Sequence, residues 1–183
     1  AVGDADGNGL DDLWIGGARN VAASLFLQQA DGSFAETSPH PNEADQEDMG
    51  GLWFDADGDG DQDLYVVSGG NEVAGDGPFY RDRFYRNEGG ELVLDEAALP
   101  DVNGSGGCVT AADYDRDGDL DLFVAGRLAP REYPYPGRSF LLRNEGGHFA
   151  DVTESVAPGL QTAGRVTQAL WADLAQDGWR DLM

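Results

Sequence analysis

Lysine is absent from this sequence. Its eleven basic side chains are all arginine, set against 35 acidic ones, for a formal charge of −24. A field of that sign disfavours DNA, RNA and anionic lipid as partners, because phosphate binding needs clustered Lys and Arg, and no nucleic acid is expected. The single cysteine, Cys108, excludes an internal disulfide framework and a thiolate zinc site. Apolar runs stop at four or five residues, far short of the roughly 20 that a membrane-spanning helix needs, so no membrane insertion is expected. No segment sustains a 3.6-residue hydrophobic period, and 27 glycines argue further against a helical fold. Also missing are Gly-x-Ser-x-Gly, His-Glu-x-x-His and a phosphate-cradling glycine loop before a helix, so no catalytic residue and no organic cofactor is assigned. The chain opens without Met or a charged-then-apolar leader and stops just after an acidic loop, as a piece of something longer would.

What is present is a core supply of four Trp, six Tyr and eight Phe, together with acid gathered in a repeating pattern. Four segments align: 4–13 (DADGNGLDDL), 55–64 (DADGDGDQDL), 113–122 (DYDRDGDLDL) and 173–182 (DLAQDGWRDL). A period of 51 to 60 residues between them indicates stacked supersecondary units. A second feature recurs in phase with the first: 25–34 (LFLQQADGSF), 84–92 (FYRNEGGEL) and 141–149 (LLRNEGGHF), each an apolar run, a glycine turn and a second apolar start. That is the pattern of a β-hairpin.

Apolar runs flank the acidic loops, Leu52-Trp53-Phe54, Val109-Thr110-Ala111 and Leu170-Trp171 before them, and Leu13-Trp14-Ile15, Leu64 to Val67 and Leu122-Phe123-Val124 after. These runs are continuous rather than alternating, so both faces of each strand should be buried. Each repeat then has strand A, acidic loop, strand B, a longer connection, strand C, glycine turn and strand D. Four-stranded antiparallel sheets stacked face to face make a β-propeller. The reading is an all-β partial propeller of about three blades, with blade one over 1–49 (strand A truncated), blade two over 50–106, blade three over 107–166 and the start of a fourth over 167–183.

Asp-x-Asp-x-Asp/Asn-Gly-x-x-Asp sets side-chain oxygens at positions one, three, five and nine, with a glycine at six for the sharp turn. The seventh carbonyl can join them. The candidate ligands are Asp4, Asp6, Asn8, Leu10 and Asp12; Asp55, Asp57, Asp59, Asp61 and Asp63; and Asp113, Asp115, Asp117, Asp119 and Asp121. Hard oxygen donors in flexible geometry suit Ca²⁺, and soft metals would want His or Cys. Loop one, with Asn8, should bind more weakly. The fourth loop offers Asp173, Asp177, Trp179 and Asp181 but has Ala175 at position three, so it is a weak or empty site. An EF-hand would need an acid at position twelve, where this chain has Ile15, Val66 and Val124. The alternative is a set of solvated Asx-turns with no ion.

At these residues the chain resembles the FG-GAP/VCBS repeats of integrin α-subunit propellers. Segments 47–55 (EDMGGLWFD), 63–72 (DLYVVSGGNE) and 149–154 (FADVTE) are similar to bacterial secreted VCBS-repeat proteins related to the ASPIC/UnbV and cartilage acidic proteins. The resemblance implies a seven-bladed or similar propeller, Ca²⁺ in the A–B loops, a location outside the cytoplasm (extracellular, cell-surface or periplasmic), and a binding or adhesion role. Partners would be an extracellular protein or a glycan, and the rest of its own propeller. Ala175 and the presence of only about three blades depart from the family pattern.

Alternating strand direction puts A–B and C–D turns on one rim and B–C and D–A connections on the other. The longer B–C connections, 69–82 and 126–138, carry Asn71, Tyr80, Arg81, Arg127, Arg131, Tyr133 and Tyr135. Such loops are where binding residues gather, although Tyr and Pro there also serve to pack loops against neighbouring blades. Cys108 reads as a small buried hydrophobe opening strand A, and His40 and His148 as solvated. Two rival functions stay open: the propeller part of a secreted polysaccharide-active enzyme, and a structural spacer.

Overall fold

The computed structural model describes residues 1–38, 45–75 and 77–183; His40 lies outside them. Three four-stranded sheets follow one another, each an antiparallel meander in chain order. Blade one comprises β1 (Val2–Gly3), β2 (Asp12–Ile15), β3 (Ser24–Gln28) and β4 (Phe34–Thr37). Blade two comprises β5 (Glu47–Phe54), β6 (Asp63–Gly69), β7 (Arg83–Asn87) and β8 (Leu92–Leu94). Blade three comprises β9 (Ser105–Ala112), β10 (Asp121–Leu128), β11 (Phe140–Asn144) and β12 (Phe149–Asp151). A two-stranded sheet, β13 (Trp171–Ala172) with β14 (Asp181–Leu182), begins a fourth. The fold is an all-β partial β-propeller, as the repeat pattern requires. Among the described residues no helix is long and apolar enough to cross a membrane.

Two-sided burial holds where a sheet lies between two others. Every residue of β6 is buried, and β10 is buried from Asp121 to Gly126. Phe54, Phe84 and Phe149 meet between blades two and three, with Phe84 and Phe149 edge to face at 5.4 Å between centroids. Trp14, Leu25, Trp53, Leu64, Val66 and Tyr85 fill the space between blades one and two. Blade one departs from the expectation: Ile15 is 54% exposed and Val2 60%, because no sheet among the described residues covers that face. Cys108 is also not as expected. It lies inside β9 rather than at its start, and it is half-buried.

Polar side chains join successive blades on the loop rim. Asn87 Nδ2 donates to the Ala5 carbonyl at 2.8 Å and to the Gln62 carbonyl at 3.0 Å. Asn144 Nδ2 donates to the Ala56 carbonyl at 2.7 Å. Each Asn also closes its own C–D turn, Oδ1 accepting from Gly90 and Gly147 respectively. Gln62 Oε1 in turn accepts from Asp4 N at 2.9 Å. Both Asn side chains are buried, so losing one leaves buried backbone groups unpaired. Asn144→Ala is therefore expected to destabilise the chain by about 1–3 kcal/mol. Urea denaturation checks this, and an unchanged midpoint would refute it.

Candidate metal centre

Each acidic loop leaves strand A and returns as strand B in nine residues, which demands left-handed backbone at two points. The fourth position is left-handed in every loop: Gly7 at φ 70°, Gly58 at 79°, Arg116 at 67° and Gln176 at 58°. The glycine at position six is left-handed as well, for instance Gly60 at 99°. Turned twice, the loop brings its first, third and ninth carboxylates together. Asp4, Asp6 and Asp12 place one oxygen each within 4.8 Å of one another, as do Asp55, Asp57 and Asp63, and Asp113, Asp115 and Asp121.

The ninth-position acids are buried, and both of their oxygens are engaged. Asp12 Oδ2 accepts from Ala5 N at 2.8 Å and Oδ1 from Gln28 N at 2.7 Å. Asp63 accepts from Ala56 N and Asn87 N at 3.0 and 2.8 Å, and Asp121 from Tyr114 N and Asn144 N at 3.2 and 2.9 Å. Each carboxylate thus ties its own loop to strand C of the same blade. Burial still pushes Asp63 and Asp121 up to about 6, against the pull of those amides. A cation among the carboxylates would offset that penalty.

Other predicted ligands are placed differently. The fifth-position side chains turn back on their loops: Asn8 Oδ1 accepts from Leu10 N, Asp59 Oδ1 from Asp61 N and Asp117 Oδ1 from Asp119 N, and Asp59 and Asp117 are not among the three-carboxylate groups. At position seven, the Asp61 and Asp119 side chains reach the C–D turn and accept from Gly89 N and Gly146 N. In loop four, Asp173 accepts from Asp177 N and Gly178 N, Asp177 from Trp179 N, and Asp181 from Leu174 N and Ala175 N. Without an acid at Ala175 these residues form no three-carboxylate cluster among the described residues.

The three clustered loops differ from one another. In loop two, Asp57 Oδ2 is ion-paired with Arg86 Nη1 at 2.7 Å, and Asp55 accepts from Gly58 N and Gly60 N. In loop three, Asp113 Oδ1 and Asp115 Oδ1 are buried without any hydrogen-bond partner. Two orphaned, buried carboxylate oxygens beside a third carboxylate are compatible with a hard divalent cation. The residues present fit the ion. The contribution of Arg86, Asn87 and Asn144 escaped the sequence reading. Its only signal was the recurring Arg-Asn-Glu-Gly-Gly of the C–D turn.

Residues 4–66 match the family model of the FG-GAP-like repeat. That span holds loop one, all the described strands from β2 to β5, and loop two with the start of β6. No curated protein matches the chain. The likeness to the FG-GAP-like repeat covers that span, and the sheets describe a partial β-propeller.

On the opposite rim the tyrosines divide. Tyr80 is buried and its hydroxyl bonds Val73, so it packs its loop. Tyr133 and Tyr135 are 69% and 66% exposed. Arg131 N donates to Asn71 Oδ1 at 2.6 Å, joining the B–C loops of blades two and three. His148 is exposed, as expected. Beneath this rim Asp82 is buried, accepting from the Tyr65 hydroxyl at 2.7 Å and from Ser68 N at 2.8 Å. Burial outweighs both bonds and raises its pKa to about 7.

An acid whose folded pKa lies above its unfolded value holds an extra proton in the folded state between the two. Stability is therefore full below the unfolded value of 3.8 and falls as pH rises toward about 7. Asp63 and Asp121 act in the same direction up to about 6. In cation-free buffer, Asp82→Asn is expected to remove the remaining decline between about pH 6 and 7. Urea melts across that window measure it, and a slope equal to that of the unsubstituted chain would refute the assignment.

Proposed function

We propose that the chain is a calcium-stabilised repeat module of a protein outside the cytoplasm, extracellular, on a cell surface or periplasmic, that binds a protein or glycan. One observation carries the metal reading. Three loops converge three carboxylates each within 4.8 Å, and the third leaves Asp113 Oδ1 and Asp115 Oδ1 buried and unpartnered. Bound Ca²⁺ would supply charge neutralisation and a rigid turn. The ligands are the first-, third- and ninth-position acids, supplemented by Asn8, Asp59 and Asp117 and by the carbonyls of Leu10, Asp61 and Asp119. Asp12, Asp63 and Asp121 already fix each loop to strand C, so an ion bound there stiffens a whole blade rim. Sites of few ligands in extracellular modules have Kd of about 10⁻⁴–10⁻³ M, which matches surroundings rich in calcium. The narrower kinship with secreted ASPIC/UnbV-related proteins rests on segments 47–55, 63–72 and 149–154 alone.

Calorimetric titration of the cation-free chain is expected to show about three Ca²⁺ bound. EDTA should lower the melting temperature, since a ligand at about tenfold its Kd adds about 1.4 kcal/mol per site. Asp115→Asn should remove one site and leave the others. Absence of heat at millimolar Ca²⁺, with EDTA leaving the melting curve unmoved, would overturn the reading.

The binding role is favoured by the rim opposite the metal loops. There the Arg165 guanidinium lies 4.9 Å from the Tyr133 ring centroid, beside the exposed Tyr135. Aromatic rings paired with a guanidinium on a fixed loop suit planar, polar ligands. Any glycan or protein captured on an array should be lost on Tyr133→Ala with Tyr135→Ala. Capture that survives both substitutions would place binding elsewhere, and an array without hits would favour a spacer.

A further inference from the structure

Arg116 stands at the fourth position of loop three, where loops one and two have Gly7 and Gly58, and it adopts the same left-handed backbone at φ 67°. A long side chain is costly there, and among the described residues its hydrogen bond and its ring contact both lie outside its own loop. Its guanidinium instead crosses to the next blade. Nη2 donates to the Gly178 carbonyl, and Cζ lies 3.8 Å from the Trp179 ring centroid. Gly178 and Trp179 are positions six and seven of loop four, the turn whose own acids form no cluster.

Between the two loops lies a cleft of about 560 Å³ lined by Asp113, Arg116, Leu120, Trp171, Gly178 and Arg180. The tip of loop four meets blade three through Arg116, beside this open space. Arg116 is its tether, while Tyr114 stacks on Trp171 at 6.5 Å near the strand end. Arg116 is bracketed by Asp115 and Asp117, and Asp115, whose Oδ1 has no partner, belongs to the loop-three cluster. Whatever holds Asp115 also holds the Cα from which the tether springs.

We propose that occupancy of loop three by a divalent cation sets the placement of loop four through Arg116, so that one metal site orders two blades. This rests on the calcium reading above. Loop four needs no ion of its own in this arrangement. Its neighbour supplies a guanidinium on a stem whose base the ion fixes, and Arg116 is a positioning residue rather than a ligand. Coupling of this kind is a free energy shared between two places, here a metal site and a docking contact.

Trp179 is 46% exposed and reports on the contact. Its emission and its quenching by acrylamide, each taken as the difference from Trp179→Phe, are followed while Ca²⁺ is titrated into the 183-residue chain, with calorimetry in parallel. The expected result is a Ca²⁺-dependent fall in quenching. That fall is lost in Arg116→Gly, which keeps the left-handed turn as Gly7 and Gly58 do and retains its binding heat. It is also lost in Asp115→Asn, which keeps the tether but not the site. A Trp179 response that persists in Arg116→Gly overturns the coupling and leaves calcium binding intact. Binding heat in the unsubstituted chain with no Trp179 response does the same. No heat at all removes the calcium reading and the coupling together.

Discussion

The buried aspartate that closes each acidic loop is the constraint on which the rest depends. Asp12, Asp63 and Asp121 each accept one amide from their own loop and one from strand C, so a single carboxylate fixes the A–B turn, the start of strand B and the neighbouring hairpin. A buried carboxylate with two donors is a strong organiser and a poor resting charge. Asp63 and Asp121 show the cost, both pushed up to about 6 by burial. Two further acids of the same loop stand within 4.8 Å of each. Protonation or a cation can resolve this crowding, and only a cation also satisfies the orphaned oxygens of Asp113 and Asp115 without removing the charge that organises the loop.

From that point the architecture propagates one blade at a time. The C–D turn fixed by Asp63 carries Asn87, which reaches back to Ala5 of loop one; the turn fixed by Asp121 carries Asn144, which reaches back to Ala56 of loop two. Arg86 adds a second line in the same region, holding Asp57 of loop two, Asp95 at the end of strand D and the Gly147 carbonyl of blade three. Each blade thus meets its neighbour through loop and turn as well as through the aromatic core. Stability in such a stack is close to a sum of blade terms and interface terms. A change at one loop is felt mainly by the blade beside it.

Much of this was legible in the sequence, and what was hidden was hidden for physical reasons. Spacing alone located the loops, and the apolar runs beside them gave four strands per blade, because a nine-residue turn between continuous hydrophobic runs leaves few alternatives. The roles of Asn87 and Asn144 were not legible. Asparagine before Gly-Gly is an ordinary turn former, and only the neighbouring blade shows that its amide is used twice. Arg116 stood at an unassigned position of the motif, and nothing in a linear string reveals a left-handed backbone bearing a long side chain. Asp82 looked like any other loop acid until the hydroxyl of Tyr65 closed over it. Continuous apolar runs point to two-sided burial, yet burial is a property of neighbours, and it fails at Ile15, where no sheet among the described residues stands.

The unequal loops bear on how salt and calcium should differ. Four arginines, Arg86, Arg116, Arg143 and Arg180, lie on or beside the loop rim, against the seventeen acids of the four loops. Mobile monovalent ions weaken repulsion between exposed charges over a Debye length of about 8–10 Å, but they screen buried groups much less. Asp12, Asp63 and Asp121 are buried, as are the free oxygens of Asp113 and Asp115. Raising ionic strength therefore relieves the rim as a whole without answering the charge inside each loop. Only an ion that enters the cluster meets that charge, so the organising force of the rim is coordination rather than bulk screening. Loop three, with the most oxygens left open, is where the difference should be largest. Loop four, lacking a cluster of its own, should feel it only through the Arg116 contact.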